Sequence, residues 1–187
     1  MDQFDISNNE LKVGGLPLQL LAERVGQTPF YAYDRSLIAA RIRAVRQALP
    51  QGVHLHYALK ANPMPALVAF VSPLVDGMDV ASAGELKLAL DAGATAQSIG
   101  FSGPGKRDSE LRQAVAAGVL LHVESVRELR VLADAAQALG RQARIAVRIN
   151  PDFELRGAGM HMGGGAKPFG VDAAQVPALL RGMVQDG

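Results

Sequence analysis

The sequence predicts an α/β fold, part of a (β/α)8 barrel with about five βα units. Three observations carry this. From Val53 onward, apolar runs of strand length alternate with helix patterns five times in succession. No hairpin signal joins one strand to the next, so the strands are expected to be parallel. Near their C-terminal ends the strands turn polar or small on one face, at Lys60, Asp79, Ser102, His122 with Glu124, and Arg148 after Ala146. Barrel strands end this way, because function gathers at the C-terminal rim. The competing architecture is an open, doubly wound five-stranded sheet. Its strands are buried on both faces and should be apolar on both. A closed barrel takes about 250 residues. This pattern stops after a helix and a glycine, RGMVQDG, with no sixth strand. The expectation is therefore a barrel cut after its fifth helix.

The elements follow in chain order. Leu18, Leu21 and Val25 suggest a short helix stopped by Gly26. TPFYAYD, residues 28–34, reads as a strand. Asp34 can cap the next helix, on which Ile38, Ile42, Val45 and Leu49 recur at helical spacing before Pro50 and Gly52. Strand 53–59 is followed by a helix opening at Asn62-Pro63, a cap residue before a first-turn proline. Strand 74–80 leads to Ser82-Ala-Gly-Glu85, a capping-box pattern, and a helix ending near Gly93. Strand 97–101 leads through SGPGKR to a helix over about 108–117, with Gly118 as its stop. Strand 119–123 leads to a second capping box, Ser125-Val-Arg-Glu128, and a helix ending near Gly140. Strand 143–149 leads to a loop over about 150–171 and a last helix from Asp172.

Composition narrows the function classes. The chain has 187 residues, no cysteine and a formal net charge of +1. Such a balance gives no electrostatic case for nucleic acid or an anionic membrane as partner. Without cysteine there is no disulfide framework, thiolate chemistry or cysteine metal site. The start, MDQFDISNNELKVGG, is polar and acidic, unlike a signal peptide. No apolar run approaches ~18 residues. A cytoplasmic location is expected.

The chemistry centres on HLHYALKAN, residues 54–62. Side chains alternate across a strand. Val53, Leu55, Tyr57 and Leu59 form an apolar row, and His54, His56, Ala58 and Lys60 form the opposite row. An inward lysine at the rim has two readings. One is a structural ion pair with Asp79 or Glu124. The other is an amine that forms a Schiff base with an aldehyde such as pyridoxal 5'-phosphate, activated by desolvation or neighbouring cations.

TPFYAYD, YALKAN, DGMDVASAGELKLAL, GFSGPGK, HVESVRELRVL, VRINPD and KPFGVD occur in the order and at the spacing of one family. Residues 28–187 resemble the first half of the alanine racemase-like barrel of fold-type III pyridoxal-phosphate enzymes, the diaminopimelate and ornithine decarboxylase family. The resemblance implies that Lys60 is the Schiff-base lysine and that Asp79 and Arg148 line the cofactor cavity. Opposite charge on Arg148 is expected to keep Asp79 ionised, with the three residues forming one coupled set. The resemblance further implies decarboxylation of a diaminopimelate-like or related basic or diamino acid, a homodimer, and a C-terminal β-sandwich domain joined by residues 1–27. Without that domain residues 1–27 are expected to be poorly ordered. The family's remaining cofactor-binding residues are expected beyond Gly187, so these residues alone are expected to be inactive. The stretch GAGMHMGGGAKPFG departs from the diaminopimelate pattern. It resembles the decarboxylase branch associated with exosortase and extracellular-polysaccharide loci, and its glycines suggest a pliable substrate-side lid. Two alternatives stay open: an amino-acid racemase on the same barrel, and a non-catalytic pyridoxal-phosphate carrier or regulatory paralogue.

Two stretches imitate other sites. GFSGPGK has the glycine and lysine spacing of a phosphate-binding loop, but Arg107 stands where a magnesium-binding Ser or Thr belongs. Pro104 also removes one backbone donor. His54 and His56 share a strand face without a convincing third metal ligand, so barrel filling is the expected role.

Overall fold

The computed structural model describes residues 4–153 and 168–185. It divides into two compact units, residues 1–53 and 54–187.

In the first unit, β1 (Ile6–Ser7), β2 (Glu10–Val13) and β3 (Leu16–Pro17) form a small antiparallel sheet. Asn8 and Asn9 take positive φ in the β1–β2 turn, a conformation asparagine tolerates well. Helix α1 (Leu18–Val25) ends at Gly26 in the left-handed region, as expected. Residues 28–34, read above as a strand, form none. The peptide Thr28–Pro29 is cis. Asp34 does cap α2 (Arg35–Ala48), accepting from the Ser36 and Leu37 N–H groups and the Ser36 hydroxyl. The same hydrogen bonds, the Ser36 hydroxyl foremost, hold its carboxyl below the ordinary aspartate range.

The second unit is a parallel sheet of β4 (His56–Ala58), β5 (Gly77–Val80), β6 (Ile99–Phe101), β7 (Leu120–Val123) and β8 (Arg144–Val147). Its spatial order, β4-β5-β6-β7-β8, is the chain order. Helices α3 (Pro65–Val71), α4 (Ala83–Asp91), α5 (Asp108–Ala117) and α6 (Val126–Leu139) connect the strands. Parallel crossovers are right-handed in nearly all proteins. With no reversal of strand order, all four helices then fall on one side of the sheet. A doubly wound sheet needs such a reversal, so the order decides for an arc of barrel.

The side-chain rows agree. Met78, Val80, Ile99, Phe101, Leu121 and Val123 are buried with Leu86, Leu111 and Leu132 of the helices in one core. Gly77, Asp79, Gly100 and His122 occupy the other face. A Cβ on Gly77 would lie 2.4 Å from the Ser98 carbonyl oxygen and 2.7 Å from the His56 ring. Glycine there lets His56 lie across the neighbouring strand.

The capping boxes form, one residue displaced. Ser82 accepts from Glu85 N–H, and Ser125 from Glu128 N–H. The glutamates return to the N–H before the cap, Glu85 to Ala81 at 2.7 Å and Glu128 to Glu124 at 2.8 Å. The helix expected at Asn62-Pro63 starts at Pro65 instead. Asn62 Oδ1 accepts the Met64 N–H, a local turn that delays the helix. The strands are shorter than expected, because short 3-10 turns occupy residues 59–61, 72–74 and 96–98. The last helix, α7, runs Val176–Gln185, after β9 (Ile149–Asn150) pairs with β10 (Val171–Asp172).

Glu110 joins two of these helix starts, accepting from Arg107 N–H at 3.0 Å and Ala83 N–H at 2.8 Å. Those two bonds hold its carboxyl below the ordinary glutamate range. A depressed carboxylate stabilises the fold above its unfolded pKa, and the contribution is lost as pH falls through the folded value. Glu110→Gln is expected to lower the melting temperature at pH 7, with the gap closing under acid. Thermal melts from pH 7 to pH 3 check this; a gap independent of pH contradicts it.

Candidate active site

The C-terminal ends of the five strands place the expected residues in order along the rim. Lys60 lies on the 3-10 turn Leu59–Ala61, directly after β4, rather than on the strand itself. Ala58 pairs with Asp79, so Lys60 and Asp79 sit at the ends of adjacent strands. Arg148 follows β8, its N–H bonded to the Val123 carbonyl.

The expected coupled trio does not form by direct contact. Asp79 Oδ1 is 3.2 Å from His56 Nδ1, and Arg148 Nη1 is 3.1 and 3.2 Å from the two Glu124 oxygens. Two strands lie between β5 and β8 in the sheet order. At ~4.8 Å per strand the arc between them is about 14 Å, beyond the reach of one arginine. Asp79 and Arg148 each take a different partner instead. Among the described residues, Lys60 has neither an ion pair nor a hydrogen bond through its amine, so the first of its two readings, a structural pair with Asp79 or Glu124, is not what forms. It is exposed.

Lys106 is the opposite case. It is 5 % exposed, and its ammonium donates to the Gly103 carbonyl, to the His122 carbonyl at 2.9 Å and to Glu128 at 3.2 Å. A lysine has three N–H donors, and all three are used. The phosphate-loop imitation is thus a structural buried pair. Among the described residues, Lys106 is saturated by the fold and Lys60 is left available for chemistry.

Sequence reasoning singled out neither Glu124 nor His56 as a site residue. Glu124 is 4 % exposed and also accepts from the Gly103 and Gly170 N–H groups, at 2.7 and 3.3 Å. The sequence marked it as a polar rim position and a possible partner of Lys60, not as the partner of Arg148. His56 was read as barrel filling, yet it faces Asp79. Ser102 Oγ and His122 Nδ1 lie 2.9 Å apart on the same face. The Phe169 ring lies 4.9 Å from the Arg148 guanidinium carbon, a cation–π distance. His161 and the GAGMHMGGGAK stretch lie outside the described residues. Among the described residues no helix is long and apolar enough to cross a membrane.

Residues 35–187 match the family model for the pyridoxal-binding domain of pyridoxal-dependent decarboxylases. The chain belongs to that family. It is 41% identical over 152 residues to a diaminopimelate decarboxylase of Aquifex aeolicus, covering 81% of this chain and 36% of the relative. It is 40% identical over 155 residues to an L-glutamyl-[BtrI acyl-carrier protein] decarboxylase of Niallia circulans, covering 82% of this chain and again 36% of the relative. The solved structure of diaminopimelate decarboxylase from Helicobacter pylori complexed with L-lysine superposes with a TM-score of 0.76 at 33% identity, over 86% of this chain and 42% of that one. The chain therefore spans well under half the length of these relatives.

The residues of this pyridoxal-binding domain fit the cofactor. An amine at the rim without a bonded partner among the described residues can bond an aldehyde. Asp79 and Arg148 supply both signs of charge on the same rim, each steadied by a partner of its own.

Proposed function

We propose that this protein acts in pyridoxal-phosphate-dependent decarboxylation of an amino acid, with Lys60 carrying the cofactor. The observation that carries the reading is the Lys60 amine, without a bonded partner among the described residues, at the end of the strand next to that of Asp79, while the buried Lys106 is fully bonded. The relatives' names support the reaction class.

Pyridoxal phosphate supplies the electron sink for the carbanion left by loss of carbon dioxide. The chain's own residues do the rest. Lys60 would hold the cofactor through its amine, which stands exposed on the turn after β4. Asp79, 3.2 Å from His56, would supply a carboxylate at the strand end next to that of Lys60 and would favour a protonated nitrogen there. Arg148 holds positive charge at the far side of the rim, where it can orient acidic groups of cofactor or substrate. We take the substrate to be a diaminopimelate-like or related basic or diamino acid. The relatives named for diaminopimelate support this. The relative that acts on a carrier-bound glutamyl group marks the range of substrates to be screened. The same reading includes a homodimer in the cytoplasm and a second domain joined by residues 1–27, on the family resemblance and the cysteine-free composition.

The test is carbon dioxide release by the full-length protein with pyridoxal phosphate and a panel of diaminopimelate, lysine, ornithine, arginine and glutamate. An amine product supports the proposal. A mirror-image amino acid without carbon dioxide shows a racemase instead.

A further inference from the structure

Glu124 lies where three rim segments meet. One carboxylate takes the Gly103 N–H from the β6–α5 loop, the Arg148 guanidinium after β8, and the Gly170 N–H where the chain returns to β10. It is held from behind. Its own N–H is bound by Glu128 at 2.8 Å, and Glu128 is fixed by Lys106, with both of those side chains at most 3% exposed. Gly170 completes the arrangement. It has φ +78°, and a Cβ there would lie 2.9 Å from the Arg148 carbonyl oxygen, so the returning strand packs tightly on the Arg148 backbone. Phe169 covers the guanidinium at 4.9 Å. Burying a carboxylate is costly unless it is paired and hydrogen-bonded, and Glu124 is both.

We infer that Glu124 is a positioning residue for Arg148. Backed by the Lys106–Glu128 pair, its carboxylate fixes the guanidinium at the rim and clamps the returning strand beside it. Arg148 is thereby presented in one orientation before any ligand arrives, which lowers the ordering cost of binding. The claim rests on the proposed function only in taking the cofactor side of the rim as what Arg148 serves.

The test uses the full-length protein with Glu124→Gln, which keeps size and removes charge, and Glu124→Asp, which keeps charge and shortens the reach. Phenylglyoxal modifies arginines, and peptide mass spectrometry gives the rate at Arg148 relative to exposed Arg112. A hydrogen bond to a charged group contributes enough that its loss is expected to raise the relative Arg148 rate roughly tenfold in Glu124→Gln. Glu124→Asp is expected to raise it less, roughly threefold. An unchanged Arg148 rate in whichever variant folds overturns the inference. A second readout is pyridoxal phosphate affinity, titrated by absorbance. Glu124→Gln should weaken it in the wild-type background and have little further effect beside Arg148→Lys. Equal losses in both backgrounds overturn the inference, since Glu124 would then act independently of Arg148. If the wild-type chain takes up no cofactor, the proposed function fails, while the Arg148 modification rates still decide the positioning role.

Discussion

Replacing Lys60 with alanine in the full-length protein is expected to reduce carbon dioxide release to background and to abolish covalent capture of pyridoxal phosphate. Lys60 stands on the turn after β4, exposed, with no bond to its amine among the described residues. Among the described residues no ion pair or hydrogen bond of the amine is lost on truncation, so the variant is expected to fold and melt like the parent. Loss of activity with an unchanged melting temperature separates a chemical role from a structural one. Lys87→Ala serves as the control, because Lys87 pairs on the surface with Asp91 at i,i+4, an interaction of small worth. Retained turnover in Lys60→Ala contradicts the account.

The second large effect is on stability. Lys106 and Glu128 form an ion pair at 3.2 Å with side chains 1% and 3% exposed. Removing one partner of such a pair strands the other charge in the interior, typically at about 3–5 kcal/mol. Glu128→Gln is therefore expected to shift the urea midpoint strongly downward. The double variant Lys106→Met with Glu128→Gln removes both charges and keeps an amide oxygen for the Glu124 N–H. It should recover much of the loss. A double variant as unstable as the sum of its singles contradicts the view that uncompensated charge is the cause.

Much of this was legible in the sequence, for local reasons. Gly26, Gly118 and Gly140 stop their helices in the left-handed region as their spacing implies. Asp34, Ser82 and Ser125 cap where they stand. The polar rim positions followed from strand alternation alone. What was not legible depended on three-dimensional neighbours. The pairing of Asp79 with His56 and of Arg148 with Glu124 is set by strand order and reach, which a linear pattern does not carry. Residues 28–34 have strand-like composition, yet form no strand, because β propensity needs a pairing neighbour to be realised. Lys60 and Lys106 look alike in sequence, each near the end of a strand. Only the fold shows that one ammonium is bonded three times and the other is not.

Borohydride trapping tests the central claim most directly. The full-length protein is incubated with pyridoxal phosphate, reduced and digested, and the modified peptide is located by mass. The account predicts a pyridoxyl adduct on Lys60. No adduct, or one confined to surface lysines such as Lys87, would contradict it.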